Sequence, residues 1–80
     1  MNEEKYESYH AQSKLRMARM EKAKLLWKYL DGMNKRSFII ATQTECGVGK
    51  GTAREYVEQA IMGGFLVYDT YTDKITYKGE

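Results

Sequence analysis

CGVGKGTAREYVEQAIMGGFLVYD, residues 46–69, is the stretch that decides the fold. Its first six residues, Cys46-Gly47-Val48-Gly49-Lys50-Gly51, hold three glycines and read as a tight turn. After the turn, Ala53, Val57, Ala60 and Ile61 fall on one face of a helix over residues 50–62. Two starts for that helix are open. Thr52-Ala53-Arg54-Glu55 has capping-box spacing, with Glu55 reaching back to the Thr52 amide. Gly49 is the other N-cap, which puts Lys50 and Thr52 in the first turn. Gly63-Gly64 stops the helix. Phe65-Leu66-Val67-Tyr68 then reads as a strand and Lys74-Ile75-Thr76-Tyr77-Lys78 as a second. Asp69–Asp73 between them is a polar linker of hairpin length, so a hairpin spans residues 65–78.

Working outward, residues 3–33 contain no proline and one glycine, Gly32, and are rich in helix formers. Leu15, Ala18, Leu25, Leu26, Tyr29 and Met33 form one stripe at helical spacing; Met17, Met20, Trp27 and Leu30 form an adjacent one. These predict a helix over 13–33, ended by Gly32, Asn34 and the pair Lys35-Arg36. Leu25, Leu26, Tyr29 and Leu30 are its expected core side. The acidic segment 1–12 either frays or extends the helix. Phe38-Ile39-Ile40 suits a short strand or the buried edge of a helix. We place an extended entry at Ser37–Phe38 and a helix over 39–45.

The order is helix, helix, short glycine turn, helix, hairpin: an α+β, mainly helical chain. Two helices joined by a short glycine-containing turn make a helix-turn-helix. Residues 23–78 resemble a winged helix-turn-helix domain, three helices plus a C-terminal β-hairpin wing, here with an extended N-terminal helix. Gly47 to Val57 is similar to the turn and recognition-helix start of that superfamily, and Gly63-Gly64-Phe65 to the step that opens the wing. The stretch from Ile40 to Gly47 is longer than that pattern's usual second helix and turn. Size and basic first helix are similar to those of small regulators encoded by archaeal viruses and plasmids. The resemblance implies sequence-specific binding of double-stranded DNA, with the 50–62 helix in the major groove, and transcriptional regulation. Arg54 is the expected guanine contact. Lys50, Gly51, Thr52 and Tyr56 are further DNA-facing candidates on that helix. Lys35 and Arg36 suit phosphates, and Tyr71 and Lys74 suit contacts from the wing. Glu55 and Glu58 either read cytosine or cap and solvate the helix; for Glu55 the box spacing favours capping.

Charge supports a nucleic-acid partner. The 80 residues carry a net +2. Residues 10–36 hold Lys14, Arg16, Arg19, Lys22, Lys24, Lys28, Lys35 and Arg36 against Glu21 and Asp31, a local +6. Such a concentrated positive field suits phosphates, though a solvated helix face carries the same signal. No apolar run reaches the ~18–20 residues of a membrane span, and no signal-peptide pattern is visible. One cysteine, Cys46, excludes an intrachain disulfide and fits a reducing cytoplasm, the host's if the chain is viral. His10 and Cys46 alone are too few for a four-ligand zinc site, and no cofactor is expected.

No histidine-paired nucleophile or carboxylate pair is present, so no enzyme is expected. Gly49-Lys50-Gly51-Thr52 resembles the end of a phosphate-binding loop, but position 44, where that pattern needs glycine, is Thr44. The stronger alternative is a protein-interaction module without DNA binding, favoured by the acidic residues of the third helix. A chain this small rarely supplies more than about 3–5 kcal/mol from one core, so a partner subunit is expected. The first helix offers Leu15, Met17, Ala18 and Met20 as a homodimer interface. Lys22 interrupts that stripe, so no long zipper forms.

Overall fold

The computed structural model of the chain describes residues 17–79. Among them three helices precede a hairpin: α1 over 17–29, α2 over Lys35–Cys46, α3 over Lys50–Met62, β1 over Leu66–Asp69 and β2 over Lys74–Tyr77. The architecture is α+β and mainly helical, and its layout is compatible with a winged helix. The strands pair antiparallel, with Leu66 opposite Tyr77 and Asp69 opposite Lys74. No described helix is long and apolar enough to cross a membrane. Leu15 and the segment 1–12 lie outside the described residues.

The first helix packs through the second of its two stripes. Ala23 and Trp27 are fully buried, and Met20 and Leu30 pack beside them. This corrects the expected core side: Leu25 is 68% exposed and Tyr29 86%. Trp27 decides the rotation, because its ring is the largest fully buried side chain and its N–H finds a partner inside. The helix also ends earlier than residue 33. Gly32 sits at φ 88, a left-handed conformation that glycine adopts without strain. The chain then runs beside β2: the Gly32 amide donates to the Ile75 carbonyl at 2.8 Å and the Ile75 amide to the Met33 carbonyl at 2.8 Å. Asp31 Oδ1 accepts from the Tyr77 amide at 2.7 Å. These bonds anchor the outer edge of the hairpin to the α1–α2 connection.

The second helix starts four residues before the expected Ile39, and there is no strand at Ser37–Phe38. Asn34 caps it, its Oδ1 accepting from the Ser37 amide at 2.8 Å. Phe38, Ile39, Thr42 and Cys46 then line one buried face, so the short apolar run is helical. Thr42 is tolerated inside because its hydroxyl is fully used. It donates to the Phe38 carbonyl at 2.6 Å and accepts the Trp27 Nε1–H at 2.8 Å. Gly47, at φ 63, closes the helix with its amide on the Gln43 carbonyl. Gly47, Val48 and Gly49 are then the whole turn to α3.

The third helix has the boundaries expected from sequence. Gly49 is its N-cap, without a side-chain cap bond, so the Thr52–Glu55 capping box is not formed. Ala53, Val57 and Ala60 are buried as their spacing implies, joined by Tyr56. Phe65 closes the core edge-on to Trp27 (6.1 Å) and Tyr77 (5.3 Å).

Candidate nucleic-acid interface

A cleft of about 530 Å³ opens between α2, α3 and the hairpin. Four of the sequence-nominated cations line it: Lys35 and Arg36 from the first turn of α2, Lys50 and Arg54 from the first half of α3. Lys50, Arg54 and Glu58 recur every four residues, which puts them on one flank of α3. Arg36, Ile40 and Gln43 form the matching flank of α2 by the same rule. Both helices are pinned by the buried Phe38, Ile39, Ala53 and Val57, so the cations sit on a rigid frame.

The wall toward the hairpin is a chain of polar contacts. Lys35 Nζ lies 2.6 Å from Glu58 Oε1 and 5.1 Å from the centre of the Tyr68 ring. The Tyr68 hydroxyl donates to Asp73 Oδ1 at 2.8 Å. One ammonium therefore ties α2, α3 and β1 together, and the phenol carries the tie into the hairpin loop. The Asp73 hydrogen bond, then burial, then the Asp73 and Glu58 charges push the Tyr68 phenol above its ordinary pKa. Asp73 holds φ 55, a left-handed conformation for which aspartate is among the better-suited side chains.

The other nominated residues are dispersed. Gly51 is exposed on the outward ridge of α3. Thr52 is half-buried on the stripe that continues to Gln59, away from the cleft. Tyr56 is only 2% exposed and belongs to the core, which corrects its nomination as a DNA contact. Tyr71 is 99% exposed at the hairpin tip, and Lys74 is exposed at the start of β2. Lys35 is committed to Glu58 rather than standing as a free cation. Of the residues expected at a dimer interface, Met20 is half-buried against the core, and Met17 and Ala18 are exposed.

Sequence reasoning missed Ile40, Gln43, Tyr68 and Asp73 as lining residues. For the α2 pair the signal was Asn34. Taken as N-cap, it starts the helix at Lys35 and places Arg36, Ile40 and Gln43 on one side. For Tyr68 and Asp73 no local signal exists, because they meet the cleft only through hairpin placement. The Gly49–Thr52 stretch follows a helix, not a strand, so the strand–loop–helix frame of a phosphate-binding loop is not formed.

Cys46 is buried beside α1, its Sγ 3.4 Å from the Arg19 carbonyl. Burial pushes its thiol above the ordinary value, outweighing the opposing pull of Lys22. Comparison with known protein-family models, characterised proteins and solved structures finds no match for this chain.

Proposed function

We propose that this chain is a winged helix-turn-helix protein that binds double-stranded DNA and regulates transcription in the cytoplasm, a binding role rather than an enzymatic one. The observation that carries the reading is the convergence of Arg36, Lys50 and Arg54 on one cleft beside the hairpin. A helix of 13 residues is about 20 Å long and fits the major groove. In this reading Arg54 reads a guanine edge, while Arg36 and Lys50 take phosphates on either side. The hairpin serves as the wing, with Tyr71 and Lys74 near the flanking backbone. A homodimer paired through α1 presents two α3 helices to a palindrome with half-sites roughly 34–36 Å apart.

Fluorescence anisotropy on mixed-sequence duplex across a salt series tests this. Phosphate contacts from Arg36, Lys50 and the wing residue Lys74 give each protomer a slope of log affinity on log salt of roughly −3. Absence of binding at low salt by the folded protein overturns the reading. One observation favours a second reading, a protein-interaction module: the outward ridge of α3 carries Gly51, Glu55 and Met62, with no cation, and Met62 is 85% exposed. That reading expects a salt-insensitive partner and loss of its binding on Met62→Ser, with no effect of the duplex.

A further inference from the structure

The outward face of α1 carries a stripe with the spacing of a helix–helix seam. Ala18, Lys22, Leu25 and Tyr29 recur at intervals of four, three and four, on the side opposite Ala23 and Trp27. All four are exposed. Glu21 and Lys28, seven residues apart, form one edge of the stripe.

We propose that this stripe docks a second copy of the chain, with the two α1 helices antiparallel. The inference rests on the homodimer in the reading above, moves its interface and adds its direction; it does not need the DNA. Charge complementarity selects both occupant and direction. A parallel pair stacks Lys22 on Lys22 of the partner subunit in one layer and leaves Glu21 and Lys28 without each other. An antiparallel pair sets Ala18 against Tyr29 of the partner subunit, small against large. It lays the Lys22 stem over Leu25 of the partner subunit, with the ammonium free to reach water. Glu21 then faces Lys28 of the partner subunit, and the two-fold repeats that pair. The Glu21–Lys24 contact at 3.4 Å within the helix is exposed and weak enough to give way. No α1 residue lines the α2–α3 cleft, so pairing leaves the cleft open.

Residues 18–29 span about 18 Å of helix, short for a tight interface, so the dimer dissociates on dilution. Sedimentation velocity of the full chain from low micromolar to near-millimolar concentration reads it directly. Leu25→Glu is expected to raise the monomer–dimer midpoint at least ~10-fold. Glu21→Lys and Lys28→Glu each raise it several-fold, and the double variant returns it to within about twofold of the parent. All these positions are exposed, and circular dichroism checks that each variant folds. A chain that stays monomeric throughout, or a dimer indifferent to Leu25→Glu, overturns the proposal. Charge reversal without rescue overturns the antiparallel arrangement. Anisotropy on a single half-site separates the two readings: a monomeric variant that still binds it leaves the DNA reading standing, and a dimer that binds no duplex sinks that reading alone.

Discussion

The two flanks of α3 carry opposite chemistry. On one side lies the cleft of about 530 Å³, rimmed by Arg36, Lys50 and Arg54 and closed by the Glu58–Lys35–Tyr68–Asp73 chain. On the other lies a smaller groove of about 250 Å³ toward α1, floored by Trp27, Ala60 and Phe65, with Lys24 Nζ 5.2 Å from the Phe65 ring centre. One helix thus serves as a wall twice. Its apolar flank fixes where it stands, and its basic flank is what that position presents. Substitutions on the first should cost stability and those on the second should cost binding.

The largest effect belongs to the apolar side. Trp27→Ala removes the largest buried ring and the N–H bond to Thr42 together, a loss of about 3–5 kcal/mol in urea denaturation. In so small a domain this leaves little folded protein. A mild effect here would mean that the α1 groove does not position α3. Next is Thr42→Val, which keeps the shape but strands the Trp27 N–H in the core, at about 1–3 kcal/mol. On the basic flank, Arg54→Ala should leave the melting midpoint within a few degrees of the parent and weaken duplex binding by about 1–3 kcal/mol. Loss of stability with unchanged binding would reverse the assignment of the two flanks. Asn34→Ala, which uncaps α2 beneath Arg36, should cost about 1 kcal/mol in thermal denaturation.

The smallest expectation concerns the wall of the cleft. Folding raises the Tyr68 phenol above its unfolded value, near 10. The stabilisation this implies is complete below that pH and is lost as pH rises through the folded value. Tyr68→Phe should flatten the alkaline fall in stability, read by denaturation between neutral pH and pH ~11. An unchanged alkaline limb would mean that Asp73 does not hold the phenol in solution.

How much of this was legible in the sequence depends on whether the signal was local. The boundaries of α3 follow from glycines 47, 49, 63 and 64 around a 3.6-residue pattern, and α3 stands where that pattern puts it. The strands, read from β-forming residues around a polar linker, stand within one residue of expectation, β1 starting at Leu66 instead of Phe65 and β2 ending at Tyr77 instead of Lys78. The start of α2 was misplaced because Asn34 and the pair Lys35-Arg36 also suit the end of the first helix, which leaves Ser37–Phe38 as an extended entry. In the fold Asn34 caps the second helix instead, its side chain accepting from the Ser37 amide.

By itself, then, the chain determined the order of its elements, the single short turn between α2 and α3, and the placement of Arg54 and Lys50 one turn apart. Those depend on backbone periodicity and on residues that end helices, which act over a few positions. Tertiary structure decided the rotation of α1, because two stripes of similar hydrophobicity competed and only Trp27 had an internal hydrogen-bond partner, fifteen residues away on α2. It also decided that Tyr56 is core, that Lys35 is spent on Glu58, and that Leu25 and Tyr29 face outward. Each depends on which elements meet across long sequence separations, and spacing within one helix carries no record of that.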